Sequence, residues 1–347
     1  MSGGREGVTS LARRVPKAEI HLHLEGSTEL ETLVAIKRSR GEAVGEDERG
    51  RLAALYTQPD FPGFLQNFRR LCEEIRRPED LGLIAAALSR RLQEQGVRYA
   101  EVFCSTAVFQ RLHGIPATET MDAVSAAARR MERTGGPRLR FLLDGVRQFG
   151  VPGMEETVES ASACGAYDVI GIGMGGDESF LPTGAFAGPY REARRRGLRT
   201  TVHAGEFSGA RSVWEAIEVL QVERIGHGVR AVEDPELLRV LAKSGMPLEC
   251  CPTSNVVTGV APEWERHPVA DLVRAGARVT VSSDDPAMFS TTLLGEWDAL
   301  HSRLGFDAKD VLAIGVSTAR STFLPEREKE ALVAAMLEAA AVGGAPA

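Results

Sequence analysis

Seven polar side chains stand in short motifs that suit metal-assisted hydrolysis. His21 and His23 lie in Glu19-Ile20-His21-Leu22-His23-Leu24-Glu25-Gly26, and His203 and Glu206 in His203-Ala204-Gly205-Glu206. His227 lies in Gly226-His227-Gly228, and Asp284 and Asp285 in Ser283-Asp284-Asp285-Pro286. Two histidines one residue apart in a strand share a face, while Ile20, Leu22 and Leu24 pack the other way. Neutral imidazoles held side by side make half of a metal site; the bland alternative is a half-buried strand whose polar face contains histidine. Adding His203 and one aspartate gives three imidazoles and a carboxylate, with room for a bound water. That set suits Zn2+ better than calcium or magnesium, and iron or manganese fits the same ligand types. Each residue taken singly reads better as a structural histidine or a capping aspartate. Together, at four strand ends, coincidence is the weaker explanation.

The elements that must position these residues are eight short apolar runs. They are Glu19–Leu24, Val97–Cys104, Leu139–Gly145, Asp168–Gly173, Arg199–Ala204, Arg224–Gly228, Pro247–Cys251 and Arg278–Ser283. Runs of this length bounded by Gly, Pro or Asp suit strands buried on both faces of a parallel sheet. Between them, segments such as Val213–Leu220, Pro235–Lys243 and Val269–Ala275 have helical periodicity. Eight alternating units predict a (β/α)8 TIM barrel, in which the C-terminal strand ends share one face and build the site. Thr28 to Gly96 is too long for one crossover and reads as a helical lid insertion. Its middle, Tyr56 to Leu65, is loop-like and rich in aromatics. The expected organisation is a loose arm over residues 1–12, a single barrel domain over 13–338 containing the insertion 28–96, and a frayed tail over 339–347.

Composition narrows the partners. A net charge of −7 argues against nucleic acid and against an anionic membrane surface. Five cysteines, odd in number and without Cys-x-x-Cys spacing, argue against a disulfide framework and a thiolate zinc site. The N-terminus lacks the apolar run of a signal peptide, so a cytoplasmic protein with a small-molecule substrate is the expectation. Oligomeric state has no handle in the sequence.

In this order, His-x-His-x-[Asp/Glu]-Gly, His-Ala-Gly-Glu, Gly-His-Gly and Ser-Asp-Asp-Pro resemble the adenosine deaminase family of the amidohydrolase barrels. Gly175-Gly176-Asp177-Glu178 resembles that family's turn after the fourth strand. The resemblance spans Val15 to about Phe323. It implies zinc-dependent replacement of the amino group of an adenine nucleoside by hydroxyl, with release of ammonia. It implies His21, His23, His203 and Asp284 as zinc ligands, and His227 orienting the attacking water and helping to remove its proton. It implies Glu206 as the acid that protonates the purine ring nitrogen beside the amino-bearing carbon. Asp285 would bond the imidazole-ring nitrogen of the purine, and the backbone amide of Gly176 the remaining pyrimidine-ring nitrogen.

Departures bear on the substrate. Glu25 stands where adenosine deaminases proper usually carry a ribose-contacting aspartate, and the longer side chain disfavours that contact. Relatives acting on free adenine often carry glutamate there too, but their turn after the fourth strand ends Ser-Ser-Glu. The segment Cys251-Pro252-Thr253-Ser254-Asn255-Val256-Val257-Thr258-Gly259 is more similar to relatives that deaminate 5′-modified adenine nucleosides, including aminodeoxyfutalosine. Arg147 and Arg230 are candidates to face a substrate carboxylate, or else structural ion pairs at the rim. His113, His267 and His301 fall outside the strand-end set and are assigned surface or packing roles. The alternatives are an adenine deaminase or other ring-amine amidohydrolase and, more remotely, an inactive purine-binding sensor, against which Glu206 and His227 argue.

Overall fold

The structure, a computed structural model, describes residues 3–58 and 60–342. Eight parallel strands pair in sequence order: β1 Lys17–His23, β2 Val97–Cys104, β3 Arg138–Val146, β4 Val169–Gly175, β5 Arg199–Ala204, β6 Arg224–His227, β7 Pro247–Cys250 and β8 Arg278–Val281. Helices fill the crossovers, which makes the expected (β/α)8 barrel. Nearly every strand residue is buried, because the barrel fills one face and the helices cover the other.

The seam between β8 and β1 matters most for the site. Regular β8 pairing stops at Val281, and single bonds carry the closure beyond it. The Ser282 hydroxyl oxygen accepts the N–H groups of Ile20 and His21, and Glu19 accepts the Ser283 N–H at 2.9 Å. The Asp284 N–H donates to His21 O at 3.1 Å, and the His23 N–H donates to Asp284 O at 2.8 Å. The last bonds that close the barrel thus hold Asp284 against both histidines of β1.

The N-terminal residues differ from the expected loose arm. Residues Gly3–Arg14 form helix α1, with Val8, Leu11 and Ala12 buried against helices Leu293–Ser302 and Ala308–Ser321. Lys17 ties its C-terminal end down, donating to Ala12 O and Val15 O. Residues 1 and 2 of that arm lie outside the described residues. At the other end, helix Glu326–Ala341 carries on into the expected tail, of which 343–347 lie outside the described residues.

The insertion comprises helices α2 Leu30–Ser39, α3 Glu46–Ala53, α4 Phe61–Glu74 and α5 Pro78–Glu94. Its aromatic middle is not a loop throughout. Asp60 caps α4, its carboxylate accepting the Gly63 N–H at 2.8 Å, and Pro62 sits in the first turn, where its missing N–H costs nothing. An Asp60-Phe61-Pro62 run that looks like a turn is therefore a helix start, and Phe61, Phe64 and Phe68 fall on one helical face.

Candidate active site

Four buried side chains that could hold a metal ion converge at the C-terminal end of the barrel. His21 and His23 come from β1, His203 from β5 and Asp284 from the β8 exit, and one atom from each lies within 4.8 Å of all the others. Asp284 Oδ1 is 3.5 Å from His21 Nε2 and 3.4 Å from His23 Nε2. Asp284 reaches inward because its backbone is left-handed, at φ 63°. The turn that separates it from Asp285 thus falls at Asp284 itself rather than being imposed by Pro286. His227 is also left-handed, at φ 58°. A non-glycine residue in that region costs about 1–3 kcal/mol, and two of the five among the described residues fall at this site.

The residues fit a metal ion. Nδ1 of His21 bonds Glu249 Oε2 at 2.7 Å, and Nδ1 of His203 donates to Met174 O at 3.0 Å, so the Nε2 lone pair of each ring is left for the cluster. His21 Nε2 is buried with no hydrogen-bond partner. Burial holds His23 down to about 4 and His203 well below its usual range, so both rings are neutral, as ligation requires. Burial also pushes His21 down, but the Asp284 and Glu249 carboxylates beside its two ring nitrogens outweigh this and bring it up to about 10. The same pull that holds a proton there attracts a cation. His227, Cys251 and Asp284 also bring donor atoms together, but burial pushes the Cys251 thiol well up and Sγ lies 3.7 Å from Glu249 O, as a thiol donor.

Beside the cluster, Glu206 Oε2 is 3.6 Å from His227 Nε2. Burial, then the charges of Asp284 and Glu178, push Glu206 well up, which favours its protonated form. Its loop is pinned by Glu178, whose Oε2 accepts the N–H groups of Glu206, Phe207 and Ser208 at 3.2, 2.8 and 2.5 Å. Asp285 is raised by burial and by Asp284, and its Oδ1 has no partner. It packs so closely on Gly26 that a β-carbon there would lie 1.7 Å from Oδ1. Gly176, at φ 94°, turns the chain at the cavity edge.

These groups floor a cavity of about 680 Å³. Phe61, Phe64, Leu65 and Phe68 of α4 wall it, with Phe149 and with Val108 and Leu112 of helix α6 (Thr106–His113). Helix α4 of the insertion thus lies along one side of the cavity. Glu25 is not on the lining. β1 gives way to a 3-10 turn at Glu25–Ser27, and its carboxylate turns back to accept the Ser105 N–H at 2.8 Å, Ser105 being the lining residue. Burial raises Glu25 to about 7.

Arg147 and Arg230 do not face the cavity either. Arg147 is buried and donates to Leu181 O and His203 O, bracing the end of β5; Arg230 donates to Phe207 O and pairs with Glu233 at 2.7 Å. The cations on the lining are Arg69 and Arg111, neither of which a strand-end search could find, since both stand on helices.

Other residues escaped the motifs. Glu249 of β7 joins His21 to Arg224 of β6, whose Nε lies 2.6 Å from Glu249 Oε1 and whose Nη1 pairs with Glu101 at 2.5 Å. Arg224 stacks 3.7 Å over Phe323. Asp144 of β3 lines the floor, its Oδ2 4.0 Å from His23 Nδ1. A charged residue inside an otherwise apolar strand was the available signal for Glu249 and Asp144. His267, expected to pack or sit at the surface, is buried and bonded to Asn255, which in turn reaches His227.

Fold and site together define a metal-dependent hydrolase barrel of the amidohydrolase kind, with the buried carboxyl of Glu206 set beside the four candidate ligands. The adenosine deaminase family profile matches residues 16–339, and the chain belongs to that family. It is 37% identical over 318 residues to an adenine deaminase of Chelativorans sp. strain BNC1, covering 92% of this chain and 97% of that one. It is 34% identical over 322 residues to an aminodeoxyfutalosine deaminase of Streptomyces avermitilis, covering 92% and 90%. An amidohydrolase structure from Burkholderia ambifaria with bound Zn superposes with a TM-score of 0.89 at 29% identity, covering 97% of this chain and 93% of that one. The protein is a deaminase of adenine-type substrates. Among the described residues no helix is long and apolar enough to cross a membrane.

Proposed function

We propose that this enzyme deaminates an adenine nucleoside, adenosine or a 5′-modified analogue such as aminodeoxyfutalosine, to the inosine-type product and ammonia. His21, His23, His203 and Asp284 hold one zinc ion. Bound zinc lowers the pKa of water from ~15.7 to about 7, which makes a nucleophile available at neutral pH. Adding water to the purine costs the ring its aromaticity, so the ring must be made electrophilic as attack occurs. Glu206 does this by donating its proton to the ring nitrogen beside the amino-bearing carbon. Asp285 bonds the imidazole-ring nitrogen, the Gly176 N–H bonds the remaining pyrimidine-ring nitrogen, and His227 orients the attacking water. The proton lost by the attacking water replaces the one Glu206 has given up, the added hydroxyl passes its proton to the amino group, and ammonia leaves as the ring is restored. The buried Glu206 carboxyl, set 3.6 Å from His227 beside the ligand cluster, with burial favouring its protonated form, carries this reading; a purine sensor needs no such acid.

The nucleoside rather than the base is favoured by the shape of the cavity. About 680 Å³ is in the upper part of the ~300–1,000 Å³ range of small-ligand sites and more than a purine alone fills. The polar floor suits the base, while the aromatic wall with Arg69 and Arg111 leaves space for a sugar and a 5′ extension. Free adenine is the second reading, favoured by the identity to the Chelativorans adenine deaminase. Ammonia release by the zinc-loaded protein from adenine, adenosine, 5′-deoxyadenosine and aminodeoxyfutalosine decides between them. A kcat/KM highest for adenine would overturn the nucleoside reading.

A further inference from the structure

His267 lies outside every motif of the site, between helices Pro252–Val257 and Val269–Arg274, yet it is buried. Its Nδ1 accepts the backbone N–H of Val269 at 3.1 Å. A backbone N–H can only donate, so this bond fixes the ring: Nδ1 carries the lone pair, and in the neutral imidazole the proton sits on Nε2. Burial keeps His267 neutral at pH 7, holding it down to about 4. Nε2 therefore donates to Asn255 Oδ1, 3.3 Å away. The opposite orientation of the Asn255 amide would set N–H against N–H. With Oδ1 committed to His267, Nδ2 of Asn255 faces Nδ1 of His227 at 3.3 Å and donates to it. Asn255 is itself fully buried, so water does not offer it another partner. One backbone N–H thus sets the direction of every bond in the chain from Val269 to His227.

We propose that Asn255 and His267 are positioning residues that hold His227 in the tautomer with its proton on Nε2, the nitrogen facing the cavity. His227 Nε2 lies 3.6 Å from Glu206 Oε2 and 3.9 Å from Asp284 Oδ2, so it is this nitrogen that meets the reacting groups. In this tautomer Nε2–H offers a donor to an oxygen in the cavity and has no lone pair with which to take a proton. His227 orients the attacking water by donating to one of its lone pairs, and does not serve as the base at Nε2.

The test is 15N NMR of histidine-labelled protein, metal-free and zinc-loaded, with His227 assigned by its loss in His227→Gln. The expected spectrum has a pyridine-type Nδ1 and a pyrrole-type Nε2 for His227. Asn255→Asp replaces the donor by an acceptor and is expected to move the proton to Nδ1, with kcat falling roughly 100-fold while KM changes little. His267→Ala frees the Asn255 amide to turn and loses the wild-type pattern. His267→Gln, which keeps a donor in place, retains it. A pyrrole-type Nδ1 in the wild-type protein, or an unchanged pattern in Asn255→Asp, overturns the proposal. If Asn255→Asp does not fold, the wild-type spectrum still decides. Only the kinetic part rests on the deaminase reading of the site: the expected spectrum in a protein inactive on every adenine substrate would refute that reading and leave the tautomer assignment standing.

Discussion

The floor and the wall of the cavity are built by opposite means. On the floor, several functional groups are fixed by a second buried polar group: His21 by Glu249, His203 by the Met174 carbonyl, the Glu206 loop by Glu178. On the wall, aromatic rings of α4 rest on one another and on neighbours, as Phe61 does on Phe207 at 3.7 Å between centroids and Phe64 on Phe289 at 4.9 Å. Hydrogen bonds to buried groups fix direction and protonation as well as place, whereas dispersion contacts fix only volume. The floor therefore determines a reaction and the wall determines which molecule undergoes it. Substitutions on the floor should change chemistry or metal content for every substrate alike. Those on the wall should reorder substrates and leave the metal alone.

The largest effect is expected from His203→Ala, which removes one ligand and the ring that fills its place. Zinc content measured after gel filtration should fall to near background and deamination with it. A fully metallated, active variant would break the assignment of the floor. Next comes Glu206→Gln, which keeps the shape and removes the transferable proton. Turnover should drop roughly 10²–10⁴-fold with zinc still bound at full occupancy. Turnover within a few-fold of wild type would remove Glu206 from the role of proton donor.

A smaller effect tests whether the floor depends on its supporting bonds. Burial raises Glu249, but Arg224 and His21 more than offset this and keep it ionised. Glu249→Gln retains an acceptor for His21 Nδ1, loses the negative charge, and sets an amide N–H against Arg224. Zinc affinity, measured by competition with a chelator, should weaken about 10–100-fold. Thermal stability read at saturating zinc separates this from simple loss of the buried Arg224 pair. Unchanged affinity would show that His21 needs no support from β7.

The same contrast explains what could be read from the chain. The barrel was legible because its strands are apolar runs buried on both faces, and β2 and β5 coincide with the predicted Val97–Cys104 and Arg199–Ala204. The convergence of His21, His23, His203 and Asp284 was legible because strand ends of a barrel must share a face. Glu249, Asn255 and His267 were not, because each acts through another side chain, and such pairings depend on register between β1, β7 and the helices after it. The wall was misread in part because Pro62 and Asp60 serve a turn or a helix start equally well; tertiary packing of Phe61 and Phe64 decides. Arg147 and Arg230 illustrate the reverse error. A cation at a strand end looks poised for substrate, and carbonyl groups of the loops claim it instead.

The smallest expected effect is the one most specific to the wall. Phe61 is partly buried, lines the cavity and stacks on Phe207, the residue after Glu206. Phe61→Ala removes a stacking contact worth about 0.5–1.5 kcal/mol and opens the mouth above the sugar end of the substrate. The ligands and Glu206 keep their own supports, the last through the N–H bonds to Glu178, so zinc content should match wild type. The kcat/KM for a 5′-extended nucleoside should fall up to about tenfold, while that for free adenine, which reaches only the floor, stays within about twofold. Measured side by side, the two substrates convert the contrast into a ratio. A uniform fall for both would mean that Phe61 acts through Phe207 on the position of Glu206, and that this part of the wall belongs to the floor.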